Sequence, residues 1–482
     1  MRITRSSVLY QRLLQSMTLF ASVQGLNVLV SLVRNKVVAV FLGPAGMGVI
    51  SLYNSTLRLL GLVTGVGLGT SGVKLVSEER VTRRAGEMLF RRSVGQLRSW
   101  SLLLALFGTI LTMLLSPLLS QLVFNDQRHT MAFILLSFVV GAGTLSAGEM
   151  AILKGLGRLK AIAQQSVYNC IIAAWISIPV LYYWREEGIV PSLLIVAMVQ
   201  LLTVVWYSLQ VAPLKGSYSR GYLSGSGMLL KLGLAFVLAS GVACLVDVII
   251  RALMNRTGSL EDVGLFNVAY MTPLSMATVF FSSLESDFYP RLSGMKMRTQ
   301  EANRLVDHQV EISMLTISPF ILLLFVSLDI VVPLLFSSRF LPAIPAMQCI
   351  LMALYLRSVK LPLAYISLSQ GKSVHYVVLE TIYNIAFLCL VLGGFFYKGI
   401  LGAGVGVLIT ALLDFIMLSF YVYKWHGYVF KGRILLQAGV QMALPLLSLL
   451  CVRYCTMQVL PQALLILVAF LLSGWQLRNR GM

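Results

Sequence analysis

The chain has 482 residues, of which 58% are hydrophobic and only 12% charged, with a mean hydropathy of +0.85 and a formal net charge of +20. A soluble domain is nearer a quarter charged, so this composition excludes an ordinary soluble enzyme or binding module. It describes a polytopic α-helical membrane protein, and the positive charge is to be tested against membrane topology before nucleic-acid binding.

Apolar stretches long enough to cross a ~30 Å hydrocarbon core recur from end to end. In chain order the expected spans are 14–42, 46–72, 98–124, 131–153, 163–184, 188–212, 227–251, 265–289, 313–336, 343–368, 374–397, 401–423, 434–452 and 456–475. The first is too long for a signal-peptide core and is expected to be a retained span. Connections are short, the longest being the basic loops around 73–97 and 290–312. With the N-terminus inside, most of the 38 basic residues fall in cytoplasmic segments, the densest being "KLVSEERVTRRAGEMLFRRSVGQLR" after the second span. This is the positive-inside pattern. It accounts for most of the net charge through topology and contact with anionic lipids, and it leaves little for nucleic acid.

The chain also repeats itself. An offset of 216 aligns Gly48 with Gly264, Ser77 with Ser293, "PLLSQLVF" from Pro117 with "PLLFSSRF" from Pro333, and Gly155 with Gly371. At offsets of 217 and 215, Arg34 meets Arg251 and "SVYN" (Ser166–Asn169) meets "TIYN" (Thr381–Asn384). A duplicated six-span unit follows, with lobes 1–215 and 216–430 and two further helices in 431–482. An even number of spans makes the repeats parallel. Transporters built this way place substrate between their halves and alternate access by rocking. Duplication retained for folding alone is the competing reading.

Charges inside spans are costly and are expected to face a partner or a water-filled cavity. Arg34 and Lys36 sit between two apolar runs, "LLQSMTLFASVQGLNVLVSLV" and "VVAVFL". On one continuous helix they point about 200° apart, so Arg34 is favoured for the cavity. The alternative is that both snorkel to the outer interface. Arg357 and Lys360 in "QCILMALYLRSVKLPLAYISL" share one helix face at i, i+3. Arg58 and Arg251 complete the cationic set, and Asp247 stands i, i+4 from Arg251 as an ion-pair partner. Glu380, Glu149 and Asp414, in that order, are the candidates to carry a coupling H⁺ or Na⁺, since burial raises a carboxyl pKa. Gly61, Gly65 and Gly69 form a small-residue stripe suited to helix packing. Tyr53, Tyr168 and Tyr383, with Asn169 and Asn384, offer either sugar contacts or interhelical glue.

The six cysteines lie in apolar segments and the four histidines near loops or span ends. There is no CxxC, HExxH, GxSxG or phosphate-loop pattern, so no metal, cofactor or enzyme chemistry is expected.

"RNKVVAVFLGPAGMGVISLYNS" followed by "GLGTSGVKLVSEE" resembles the opening of the polysaccharide transporter family, the Wzx-type flippases of O-antigen and related lipid-linked oligosaccharides. "IIRALMNRTGSLEDVGLFNVAYMTPLSMATVFFSSLESDFYPRLSGM" resembles that family's seventh and eighth spans. The resemblance implies the multidrug/oligosaccharidyl-lipid/polysaccharide exporter fold, two six-helix lobes in a V around a central cavity. It further implies a bacterial inner-membrane flippase with cytoplasmic termini. Its substrate would be an undecaprenyl-diphosphate-linked glycan, and anionic lipids and polysaccharide polymerase or assembly proteins would be its partners. Arg34 lies where lipid II flippases of the superfamily carry a cationic residue, whereas Arg58 matches only by region. A cation-coupled drug or metabolite antiporter of the same fold is the second reading. Carboxylates presented to the substrate would distinguish it.

Overall fold

A computed structural model describes residues 2–81, 87–213, 227–295, 299–369, 373–454 and Leu467; side chains are described from Gly25 onward, with gaps. Twelve α-helices follow one another: α1 (Arg2–Thr64), α2 (Leu68–Val81), α3 (Glu87–Phe124), α4 (Thr130–Gly155), α5 (Leu159–Trp184), α6 (Ile189–Leu209), α7 (Gly227–Thr257), α8 (Leu260–Ser293), α9 (Gln300–Leu335), α10 (Ile344–Ser369), α11 (Ser373–His426) and α12 (Gly432–Tyr454). Among the described residues no strand occurs, and nine helices are long and apolar enough to cross a membrane. Each expected span from the first to the thirteenth falls on helix. The fourteenth, 456–475, lies outside the described residues apart from Leu467.

Two of the helices are hairpins. α1 breaks at Gly43, whose φ of 65° is open to glycine but strained for other residues. The first limb lies along α5: Asn27 donates to Ser166 near the start of α5, and Phe41 packs on Tyr182 near its end. The second limb lies along α4, with Tyr53 against Phe133 and Gly65 beside Thr144. Because α4 turns back into α5 through residues 156–158, the two limbs run in opposite directions. Pro44 begins the second limb, a position where its missing N–H costs no helical hydrogen bond. α11 reverses at Lys398–Gly399, and its limbs meet backbone to backbone where Gly394 faces Gly402 and Gly406 faces Leu390.

The described chain falls into two compact units, Met1–Val263 and Gly264–Met482. By packing, α7 belongs to the first unit, where it lies against α1, α2 and α3. By internal repetition it opens the second half. In the second unit, α10 packs on both α9 and α11, and α12 on α9. Tyr355 of α10 donates to Gln441 Oε1 of α12 at 3.1 Å. Asp307 of α9 accepts from the Tyr428 hydroxyl and pairs with Lys431, both at 2.7 Å, which ties down the turn before α12. Outward positions carry apolar side chains such as Leu114, Trp175 and Ile330. In water so many exposed apolar groups would aggregate; in hydrocarbon they lie in a solvent as apolar as themselves.

Small residues permit the close helix contacts, though not as one stripe. Gly61 has open space where a Cβ would stand. The helix then breaks at Val66–Gly67, where both residues have positive φ. There the chain meets α7: a Cβ on Gly67 would come within 2.6 Å of the Gly233 carbonyl, and one on Gly233 within 2.0 Å of the Val66 carbonyl. Gly72 and Gly155 make the next tight contacts, against Leu97 and Val76. Gly67→Ala is therefore expected to destabilise by about 1–2 kcal/mol through its left-handed backbone alone. Gly61→Ala should leave the melting temperature unchanged; thermal unfolding in detergent compares the two.

Candidate functional site

In the first unit the second limb of α1 and α7 bring Arg58, Ser51, Asp247 and Arg251 together. Arg58 Nη2 donates to Asp247 Oδ2 at 2.8 Å. Arg251 Nη1 pairs with Asp247 Oδ1 and also donates to the Asp247 backbone carbonyl at 3.1 Å, while its Nε donates to Ser51 Oγ at 2.7 Å. One carboxylate thus joins two guanidinium groups. Their exposures differ sharply: the Arg58 side chain is 52% exposed, that of Asp247 21% and that of Arg251 0%. Ten residues, about 15 Å of helix, separate Asp247 from the end of α7, so the cluster is not at the helix terminus. Arg58 is the member that another molecule can reach. Arg251 lies behind it and positions the carboxylate. Its Nη2 has no partner among the described residues.

The first limb of α1 adds a second polar strip. It continues as helix through Leu42, as the placement of Arg34 within the span requires. Arg34 is half-buried near Cys170 of α5 and makes no ion pair with a described residue. Lys36 is also half-buried and makes further interactions. Asn169 Oδ1 of α5 is buried without a partner among the described residues.

The cations of the second unit lie mid-helix on α10. Lys360 Nζ pairs with Asp414 of α11 and stands 5.1 Å from the ring centroid of Tyr383. Arg357, Glu380, Asp414 and Tyr270 also act on the Tyr383 phenol. Arg357 is exposed, whereas the side chains of Lys360 and Asp414 are 18% and 8% exposed. The i, i+3 spacing does place both cations in one neighbourhood. Asp414 already neutralises Lys360, so Arg357 is the available charge. Glu380 is half-buried and, among the described residues, its carboxylate has no ion pair.

Glu149 has a different setting. Arg98 grips both its oxygens, Nε to Oε1 at 2.8 Å and Nη2 to Oε2 at 3.0 Å, and Ser208 donates to the same carboxylate. Arg98 also donates to the Ala212 carbonyl at 2.9 Å and the Pro213 carbonyl at 3.4 Å, fixing the chain where it leaves α6. The pair is sealed, with side-chain exposures of 1% and 9%. Sequence reasoning missed Arg98 because it stands at the edge of a basic cluster and reads as one more topology charge. Its separation from Arg92 by five uncharged residues, at the start of an apolar run, was the available signal.

The tyrosines divide similarly. Tyr53 is buried, and its hydroxyl lies 2.7 Å from His129 Nδ1, so it is interhelical glue and no sugar platform. Tyr168 is exposed and stacks on Tyr207. Burial lowers the His129 pKa below its ordinary value, against the opposing pull of Asp126.

No metal-binding group of His, Cys, Asp or Glu occurs among the described residues. The family described as polysaccharide biosynthesis protein matches residues 37–345, more than half of the chain. The chain belongs to that family. No curated protein matches it. Among solved structures, lipid II flippase MurJ in an inward closed conformation superposes with a TM-score of 0.70 at 14% identity, over 97% of this chain and 100% of that one. A multidrug resistance MATE transporter of the MOP superfamily, inward-facing, gives 0.63 at 15% identity over 83% and 95%. A MOP transporter from Pyrococcus furiosus, described as having a binding pocket of reverse polarity, gives 0.51 at 15% identity over 84% and 95%. The fold is therefore one shared with MOP-superfamily transporters, and the chain is a multi-pass membrane protein.

Removing the acid of the sealed pair strands a buried guanidinium. Glu149→Ala should cost about 3–5 kcal/mol and lower folded yield, and the double variant Arg98→Met/Glu149→Leu should recover most of it. Monodisperse protein on size-exclusion chromatography is the readout.

Proposed function

We propose that this protein is a flippase that moves an undecaprenyl-diphosphate-linked oligosaccharide, of the O-antigen kind, from the cytoplasmic to the outer leaflet of a bacterial inner membrane. The observation that carries the reading is a mid-helix guanidinium, Arg58, left half-exposed in an otherwise apolar chain. A cation at such a depth is costly in hydrocarbon, so it belongs on a water-filled surface that admits an anion. Arg357 is the corresponding accessible cation of the second unit. A guanidinium binds phosphate oxygens with a planar two-donor fork, which suits a diphosphate. Membership of a polysaccharide biosynthesis family and a fold shared with a lipid II flippase support the substrate class.

The drug-antiporter reading asks for carboxylates offered to a cation. Here Glu149, Asp247 and Asp414 are each held by Arg or Lys, and of the candidate acids only Glu380 has no ion pair among the described residues. Access alternates as the diphosphate shifts the population between inward-open and outward-open states. Glu380 and Asp414, which faces Lys360, are the residues assigned to a coupling H⁺ or Na⁺, whereas Glu149, the third candidate, is held by Arg98. The termini are cytoplasmic in this reading, and anionic lipids and polymerase or assembly proteins are the partners.

Arg58→Gln and Arg357→Gln should each cut flipping of a labelled lipid-linked oligosaccharide in proteoliposomes by about tenfold, the effect of one lost charge-assisted contact. Arg→Lys at either position should do less harm. Lys360→Gln is a poorer probe, because it strands the buried Asp414. Normal flipping by both Gln variants, at wild-type protein levels, overturns the assignment.

A further inference from the structure

We infer that Asp247 is a resident counterion that competes with the substrate's phosphate for Arg58, so that cargo binding breaks a tie between α1 and α7. The inference rests on the reading of Arg58 as an anion contact and adds to it a residue that sets affinity and release.

The geometry separates the two guanidinium groups into a fixed and an exchangeable one. Arg251 is on the same helix as Asp247, four residues on, and has no exposed surface. Two of its contacts lie on its own helix, the Asp247 carboxylate and the Asp247 carbonyl, and the third, Ser51 Oγ, is a contact to α1 that does not involve Arg58. Those contacts hold the carboxylate in place whether or not Arg58 is present. Arg58 reaches Asp247 from another helix, through Nη2, with half of its side chain open. A phosphate arriving on the open side therefore meets Arg58, while Arg251 stays sealed behind the carboxylate.

Electrostatics makes the exchange workable. One carboxylate between two guanidinium groups leaves the cluster with a surplus positive charge, which attracts an anion. The same carboxylate prevents the site from closing on it, because its full negative charge repels the incoming phosphate at short range. When phosphate takes Arg58, Asp247 keeps Arg251 and is not left unpaired, so displacement avoids the large cost of an isolated buried charge. When phosphate leaves, Asp247 recovers Arg58. A transporter needs this balance, since a site without a competitor would hold its cargo. Cys244, one turn before Asp247 on α7, lies within electrostatic reach of both Arg58 and Asp247.

Inorganic pyrophosphate serves as the probe, titrated calorimetrically into the purified full-length protein in nanodiscs. Asp247→Asn keeps an acceptor for Arg251 while removing the competing charge, and should bind pyrophosphate about tenfold more tightly than wild type. Its flipping rate should fall, because release slows. Asp247→Glu should bind as wild type does. Adding Arg58→Gln should abolish binding in each background. Equal or weaker binding by Asp247→Asn, with dependence on Arg58 intact, overturns the exchange and leaves the anion site standing. Pyrophosphate binding that is absent, or indifferent to Arg58, overturns the anion-site reading itself. Should Asp247→Asn fail to fold, the buried pair is removed as a unit: Asp247→Asn/Arg251→Met should bind more tightly than Arg251→Met, and equality of the two refutes the proposal.

Discussion

Charge in hydrocarbon is the constraint on which the rest of this structure depends. A bilayer offers no water to an ionised side chain, so each one within a span needs a partner ion, a hydrogen-bonding shell or a hydrated surface. This protein uses all three. Arg98 and Glu149 neutralise each other in a sealed bidentate pair. Arg251 combines an ion pair with a hydroxyl and a carbonyl. Arg58 and Arg357 are left on open surface. The degree of sealing separates the charges that fix helices from those left accessible.

Sealed pairs do mechanical work in a fold whose helices gain little from apolar burial against each other. In lipid, association relies on close packing and polar contacts. The Arg98 network gathers α3, α4, α6 and the chain beyond α6, while Asp307 holds the turn before α12. Glycines supply the other half of the packing where backbones touch. Gly67 against Gly233 and Gly394 against Gly402 admit no side chain between them. The break at Val66–Gly67 also means that the second span is two helical pieces, joined where α7 crosses.

Accessible charges are the opposite case, because a cation on open surface needs no sealed partner. Each unit presents an exposed arginine beside an acid–base pair: Arg58 beside Asp247–Arg251, and Arg357 beside Lys360–Asp414. In both, the pair places further polar groups next to the arginine. The tyrosines beside them differ in use, since Tyr383 shares the second cluster whereas Tyr53 is spent on His129.

The first thirteen span positions and the helical class were legible in the sequence alone, because hydropathy over about 20 residues is a local property, and the quoted motifs pointed to the family. The i, i+4 pair of Asp247 and Arg251 and the i, i+3 pair of Arg357 and Lys360 were legible for the same reason: helical periodicity fixes which neighbours share a face. Contacts between elements distant in the chain were decided only by tertiary structure. Nothing local tells Glu149 that its partner is Arg98, or Asp414 that its partner is Lys360. The exposure of Arg58 and the sealing of Arg251 were equally invisible, since both are arginines in apolar runs. Which face of a helix a neighbour covers is set by packing across the fold, and a one-dimensional pattern of apolar residues does not encode it when nearly every face is apolar.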